Sequence, residues 1–414
     1  MSKFKLGDIA EIQSGPFGTQ LHKEEYVESG IPMLNSKNIG NGNILTDSLD
    51  YVPLIVCERL PRYILHEGDI LFGRAGTIER HTYVSDEYDG CFQGTNCIRI
   101  RCKDSKKALY ISYYLWLKEL KQRIENSAGG SIQSYITTDL LKNIYVDIPE
   151  DYESKANILK IIDDKIENNH RINDNLQQQL KLMYDYWFTQ FDFPNEDGSP
   201  YRSSGGQMVS ANSVSYPIPA DWQVGTIFKN RLSSIIKPGV TPFTTKTYLA
   251  TADVNGTSIS TGNTVDFETR ESRANMQPTE NSVWFAKMKK SIKHLYLNPA
   301  MKPLIEESIL STGFCGLQCS EYSFEYIASF IEHSYFETLK DTLAHGATQE
   351  AVNNDDLAGI ALVIPSDEVL RLYHERTKDI YTQMSKNICE NQELIRLRDW
   401  LLPMLMNGQA VVQD

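Results

Sequence analysis

Gly130-Ser-Ile-Gln-Ser-Tyr-Ile-Thr-Thr-Asp-Leu-Leu-Lys-Asn-Ile-Tyr-Val-Asp-Ile-Pro149 has a second version 216 residues further on, Gly346-Ala-Thr-Gln-Glu-Ala-Val-Asn-Asn-Asp-Asp-Leu-Ala-Gly-Ile-Ala-Leu-Val-Ile-Pro365. At that offset nine positions fall in register: Gly130/Gly346, Gln133/Gln349, Ile136/Val352, Asp139/Asp355, Leu141/Leu357, Ile144/Ile360, Val146/Leu362, Ile148/Ile364 and Pro149/Pro365. Other anchors keep nearly the same spacing. Gly68-Asp-Ile-Leu-Phe72 meets Asn281-Ser-Val-Trp-Phe285 at an offset of 213, which aligns Arg74 with Lys287. Leu6-Gly-Asp-Ile9 roughly meets Val224-Gly-Thr-Ile227. Ile166, Leu180, Met183 and Asp185 meet Ile380, Leu394, Leu397 and Asp399 at 214. A period of about 215 residues is too long for a solenoid repeat and has the size of a domain with an appended element. The chain reads as two copies of one unit.

Each unit has two parts. Residues 1–150 and 217–366 alternate short β-branched and aromatic runs with turn residues, as in Asp69-Ile-Leu-Phe72, Cys97-Ile-Arg-Ile-Arg101, Ile144-Tyr-Val-Asp-Ile148 and Ile360-Ala-Leu-Val-Ile364. Helices are expected near Lys107–Glu125, Thr138–Lys142 and Ser323–Leu343. Each part is an α+β globule. Residues 151–192 and 367–408 are different. Ile158, Ile161, Ile162, Ile166, Ile172, Leu176, Leu180, Met183 and Trp187 step by three and four, with no Gly or Pro from Ser154 to Phe188. Asn168, Asn169, Asn173, Asn175 and Gln177 to Gln179 are assigned to the other faces. Val369–Leu405 repeats the pattern. A long helix with a narrow apolar stripe needs a partner. The nearest is its own copy, so a pseudo-two-fold arrangement pairs the two helices as an antiparallel coiled coil. Residues 193–216, rich in Gly, Pro and Ser, read as a surface linker.

Composition bounds the function. The chain has 414 residues, 41% hydrophobic and 23% charged, as in an ordinary globular protein. No apolar run has the length of a membrane span, and the first residues lack a signal peptide's apolar stretch. The seven cysteines have no CxxC pair, so reduced thiols in a cytoplasmic protein are expected. Cys315, Cys319 and His294 form a weak metal candidate that buried thiols explain as well. No P-loop, nucleophile elbow or His-Glu-x-x-His motif occurs. Asn298-Pro-Ala-Met301 lacks the second proline and the aromatic of an amino-methyltransferase signature, and Asp163-Asp164-Lys165 sits mid-helix. A recognition or scaffold component, not an enzyme, fits this inventory.

With these features on the page, the chain resembles the DNA specificity subunit of type I restriction-modification enzymes. The resemblance is carried by the duplicated globule-plus-helix order, the Gly-Asp-Ile-Leu-Phe run, the Gly-x-x-Gln loop and the Ile-Pro ending. Tyr186-Trp-Phe188, Pro200-Tyr-Arg-Ser-Ser-Gly-Gly206, Ile218-Pro219 with Trp222, and Leu397-Arg-Asp-Trp-Leu-Leu-Pro403 support it. It covers essentially the whole chain. The second copy departs from the pattern: Asn281-Ser replaces Gly-Asp, and no arginine-glycine pair follows. The resemblance implies two target recognition domains, each reading one half of a split double-stranded DNA target. It implies helices that act as a ruler and dock two methyltransferase subunits and the restriction subunits. S-adenosylmethionine, ATP and Mg²⁺ then belong to those partners, with no cofactor or metal in this chain, which works in the cytoplasm of a bacterium or archaeon.

Base and phosphate contacts want Arg, Lys, Asn and Gln on loops and strands. In the first globule the candidates are Asn35, Lys37 and Asn38, then Arg74 and Arg80, then Arg99 and Arg101 leading into Lys103, and Gln133 and Ser134. Arg99 and Arg101 could equally form cross-strand ion pairs. In the second globule they are Lys246, the cluster Lys287, Lys289, Lys290 and Lys293, and Gln349. Trp187, Phe188, Trp400 and Leu401 are candidates for docking partner subunits, with helix-core packing as the alternative. The net charge is −13, distributed as −3 over 1–150, −4 over 217–365 and −6 elsewhere, so positive charge is only local. A scaffold that binds proteins alone, or a regulatory homologue that occupies methyltransferases without reading DNA, remains open on these residues.

Overall fold

The structure is a computed structural model and describes residues 2–46, 48–74, 78, 80–127, 135–211, 213–346 and 350–410. The chain divides into two compact units, Met1–Asp163 with Leu397–Asp414, and Asp164–Arg396.

In the first unit Ser2–Lys5 pairs antiparallel with Tyr145–Ile148. A four-stranded antiparallel sheet runs in the order Ala10–Ser14, Cys97–Cys102, Asp69–Gly73, His81–Tyr83. A second sheet has Asp50–Val52, Ile31–Leu34 and Phe92–Gln93, the last pairing parallel. The alternation of Cys97-Ile-Arg-Ile-Arg-Cys102 explains the central strand. Ile98, Ile100 and Cys102 enter the core with Leu6, Phe72, Tyr110, Ile111 and Val146, and Arg99 and Arg101 face the other way. The helix expected over Lys107–Glu125 is two helices, Ala108–Leu115 and Lys118–Ser127. The break falls at Trp116, whose ring stacks on His81 at 4.3 Å with the Lys121 ammonium 4.4 Å above it.

The second unit repeats this plan. Gln223–Thr226 pairs with Ala361–Ile364. A four-stranded antiparallel sheet runs Ser233–Ile235, Phe314–Cys319, Ser282–Ala286, His294–Leu297. The other sheet runs Asn263–Asp266, Thr245–Leu249, Ser308–Ser311, Ala274–Met276, again with one parallel pairing, Thr245–Leu249 with Ser308–Ser311. Gly68 and Asn281, matched in sequence, both enter their strands with positive φ, +90° and +54°. Asparagine is a residue that tolerates this left-handed region, so the loss of glycine leaves the turn intact. The helix expected over Ser323–Leu343 is split at His333 into Phe324–Glu332 and Ser334–Leu343.

Two long helices follow the globules, Tyr152–Tyr184 and Asp367–Met406. The first closes with a π-turn over Asp185–Thr189. Within the second unit they pair antiparallel. Asn169 Nδ2 donates to Asn391 Oδ1 at 2.8 Å, and Asn387 Nδ2 to Asn173 Oδ1 at 2.8 Å. All four asparagines are at most 5% exposed, which corrects the assignment of Asn169 and Asn173 to solvated faces. Ile172, on the expected apolar stripe, is 37% exposed instead. The linker is also more than surface. Phe193 stacks on Tyr201 at 4.7 Å and on Trp222 at 5.0 Å, because three flat rings bury well only together.

Candidate nucleic-acid interface

The most regular basic feature is a hairpin loop present in both units. Residues 74–80 join Asp69–Gly73 to His81–Tyr83, and 287–293 join Ser282–Ala286 to His294–Leu297. Arg74 and Arg80 bracket the first loop, and Lys287 and Lys293 the second, at the 213-residue offset. Each loop receives the segment that follows the Gly-x-x-Gln motif. Ile136 N–H donates to Arg74 O at 2.9 Å, and Val352 N–H to Lys287 O at 3.0 Å. The motif therefore runs into a residue held against a basic hairpin in each copy. Gln133, Ser134 and Gln349 themselves lie outside the described residues.

The other candidates of the first unit are largely held by their own chain. Asn38 is 1% exposed and donates to Leu45 O at 2.9 Å. It accepts from Asn35 N–H at 3.0 Å, so it shapes a turn and does not face a ligand. Asn35 Nδ2 donates to Asp50 at 2.9 Å, and Lys37 pairs with the same carboxylate at 3.0 Å while staying exposed. Lys103, exposed, donates to Asp8 O at 2.7 Å.

Arg99 and Arg101 take the ion-pair alternative and not the DNA-contact one. Arg99 is 1% exposed, donates to Arg62 O at 2.7 Å and lies 3.2 Å from Glu11. Arg101 grips Asp69 with two hydrogen bonds, 2.7 and 2.6 Å, and donates to Ile64 O at 2.9 Å. Such bidentate pairing leaves the guanidinium little to offer a base. The second unit makes the same point. Leu71 faces Arg99, and its counterpart Trp284 faces Gly316; Asp69 faces Arg101, and Ser282 faces Gln318. A Cβ on Gly316 would meet the Trp284 ring at 2.5 Å. The indole fills the space a side chain would need, so this strand position supports the sheet in both copies.

In the second unit Lys290 is exposed and Ile292 is exposed beside it. Lys289 pairs with Glu350 at 2.9 Å. Lys293 donates to Thr251 O, and burial holds its pKa below the ordinary lysine value. Lys246, partly buried, has its ammonium 5.8 Å over the Phe243 ring. Burial also pushes the Lys246 pKa down. Cys315 and Cys319 are buried thiols; burial pushes Cys315 up to about 12. Both nitrogens of His294 face glutamates, Glu332 and Glu337, each at 2.9 Å, so none of the three is set out as a metal ligand.

Trp187 and Phe188 are also corrected. They are 5% and 7% exposed, and they lie in the second unit's core against Tyr373, Tyr326 and Trp222, with centroids 4.6–5.8 Å apart. No partner reaches them without unfolding. Trp400 is different: it is 60% exposed, with Leu401 half-buried against the first unit's core. Sequence reading passed over Lys340, which is buried and donates to the backbone of the basic loop. Its signal was faint: Lys340 stands four residues after the buried Phe336 and so shares its helix face.

Comparison with known proteins agrees with this duplicated plan. Residues 1–182 match the model of the type I restriction modification DNA specificity domain. The MjaIX specificity subunit of Methanocaldococcus jannaschii is 22% identical over 99% of this chain and 93% of its own length. The HindI specificity subunit of Haemophilus influenzae is 22% identical over 98% of this chain and 99% of its own. The crystal structure of a type I restriction-modification S subunit from M. genitalium superposes with a TM-score of 0.52 at 14% identity. It covers 100% of this chain and 96% of that one, a likeness of fold. Among the described residues no helix is long and apolar enough to cross a membrane. The chain is thus similar over nearly its full length to type I restriction-modification specificity subunits, and its first 182 residues match their DNA specificity domain.

Proposed function

We propose that this chain reads a bipartite DNA target, one globule per half-site, with the paired helices setting the gap. The observation that carries this reading is the duplication of the basic hairpin and its backing strand order in both units. A second supports it. Asn173 and Asn387 differ by 214, the repeat offset, and bond to each other. In a two-fold arrangement only residues on the axis meet their own counterparts, and a pseudo-two-fold protein suits a split target. The lysines and arginines of the two hairpins contact phosphates and base edges; Arg99, Arg101 and Asn38 hold the scaffold beneath.

The chain docks two adenine-N6 methyltransferase subunits and the restriction subunits. S-adenosylmethionine, ATP and Mg²⁺ are bound by those partners, and the assembly works on cytoplasmic DNA. Trp400 and Leu397 on the second long helix and Ile161 on the first are exposed apolar side chains of the kind that anchor an interface. The test is to co-express the chain with a methyltransferase pair and sequence the modified adenines. Two fixed half-sites with a constant gap are expected. Random or absent methylation refutes DNA reading and leaves a protein-binding scaffold or regulatory homologue.

A further inference from the structure

The loop 287–293 is fastened from beneath by a buried cation. Lys340, on the helix Ser334–Leu343, is 0% exposed. Its Nζ donates to Ala286 O at 3.2 Å and to Ser291 O at 3.0 Å. Glu337 Oε2 lies 2.6 Å away as an ion pair, without hydrogen-bond alignment. Ala286 ends the strand that enters the loop, and Ser291 lies within the loop. The loop's exit is held by the same carboxylate, because His294 Nε2 meets Glu337 Oε1 at 2.9 Å.

The upper side is tied as well. Asp341 Oδ1 accepts the Lys290 N–H at 2.9 Å, and Lys290 has φ +55°, a conformation that persists in a lysine only where neighbours impose it. Lys289 N–H donates to Glu350 O at 3.0 Å. What emerges from this frame is the exposed pair Lys290 and Ile292. A cation suits a phosphate or a guanine edge, and an aliphatic side chain suits a thymine methyl.

Burying an ammonium is costly, and an apolar residue of similar size usually serves stability as well or better. An apolar residue could not bridge two backbone carbonyls. We infer that Lys340 is a positioning residue for target recognition: by joining Ala286 to Ser291 it fixes the loop that presents Lys290 and Ile292 to one half-site. This rests on the reading that the loop contacts DNA.

The experiment is the modified-adenine map of the complete methyltransferase complex, made with the wild-type chain and with Lys340→Met, Asp341→Ala and Asp341→Asn. Lys340→Met is expected to blur base identity in one half-site only. Discrimination against single-base changes there falls at least about fivefold, the scale of one lost base contact, and the other half-site stays sharp. Asp341→Ala, a surface change that leaves no buried charge unpaired, is expected to blur the same half-site more weakly. Asp341→Asn, which keeps an acceptor for the Lys290 N–H, restores it. Should Lys340→Met fail to fold, the Asp341 pair decides alone. Half-sites unchanged in Lys340→Met, or in Asp341→Ala where that variant decides, overturn the proposal, as does equal blurring of both. A wild-type chain that gives no split motif instead sinks the underlying DNA-reading proposal, and this one with it.

Discussion

Replacing the asparagines at the centre of the helix pair tests whether polar pairing fixes its register. Asn387 Nδ2 donates to Asn173 Oδ1 at 2.8 Å, and Asn173 Nδ2 donates to Met384 O at 3.2 Å. Both residues are buried, at 4% and 5% exposure. Asn173→Leu removes the acceptor that the Asn387 amide has among the described residues and leaves that donor buried, at a cost of about 1–3 kcal/mol. Asn387→Leu orphans the Asn173 carbonyl oxygen in the same way. The double leucine variant leaves neither group unpaired. Leucine is close to asparagine in volume, and its burial is itself favourable, so the double variant is expected within about 1 kcal/mol of wild type, or above it. Hydrogen exchange of peptides covering 164–184 and 367–396 reads this directly. A cost of about 2 kcal/mol speeds exchange roughly 30-fold in either single variant, and the double variant returns toward wild type. The reasoning is refuted if the double variant exchanges as fast as the faster single one, because the two residues would then act independently. The same double variant loses the device that penalises other registers. Its methylated targets are expected to show more than one gap length.

Phe188→Ala should cost about 3–5 kcal/mol by the cavity it leaves among Tyr326, Tyr373 and Trp222. Trp400→Ala should change thermal stability by less than about 0.5 kcal/mol yet reduce co-purification of methyltransferase subunits; the opposite pattern would reverse the two assignments. Replacing Lys287, Lys289 and Lys290 by Ala should weaken DNA binding and lower the slope of log affinity against log salt by up to about 2.7. Lys289 should count least because Glu350 already holds it; an unchanged slope puts the loop off the DNA path. His294 gives a pH dependence. Burial opposes its charge, but the hydrogen bonds to Glu332 and Glu337 outweigh burial and raise its pKa above 6.5. That contribution is complete below pH 6.5 and is lost as pH rises through the raised native value. Glu332 runs the other way. Burial would raise its pKa, but His294, Tyr296 and Gln177 together lower it, so its contribution is lost only as pH falls through the depressed value. The melting temperature should therefore decline on the alkaline side, and His294→Gln should flatten that decline; an alkaline limb of unchanged slope refutes it. Inserting four residues near Gln178 adds about one helical turn and should lengthen the gap between half-sites, whereas a constant gap shows the helices do not set it.

Most of the architecture was legible in the sequence because duplication leaves a signal that no single element does. The 213-residue offset between Gly68–Phe72 and Asn281–Phe285 became two strands in the same place in two sheets. What stayed hidden was orientation. Cys97-Ile-Arg-Ile-Arg-Cys102 alternates as a half-exposed strand should, which leaves Arg99 and Arg101 open equally to DNA contact and to cross-strand ion pairs. Glu11 and Asp69, from strands far away in sequence, decide for the ion pairs, with only Arg99 and Asp69 themselves buried. Asn169 and Asn173 misled in the same manner: a polar residue reads as solvated until the partner helix supplies Asn391 and Asn387. Trp187 and Phe188 were open to docking or to helix-core packing, and the fold decides for packing by bringing Trp222 and Tyr373 to cover them. In each case the long-range partner that decides the face lies outside any local window of sequence.

These partners also bear on how a chain of net charge −13 can recognise DNA. Cations on a surface contribute to phosphate binding only if they are not already neutralised. Arg99, Arg101, Lys37 and Lys289 all have carboxylates of their own chain within 3.2 Å. Lys103, Lys293 and Lys340 are spent on backbone carbonyls. Charge used this way shapes loops; it does not draw in a polyanion. Shape is what specificity needs, because base edges are discriminated by groups held at fixed positions, whereas phosphate attraction is indifferent to sequence. A subunit that commits these lysines and arginines to its own carboxylates and carbonyls gains fixed shape and forgoes steering. On the proposed reading, the attraction to the duplex comes from the partner subunits.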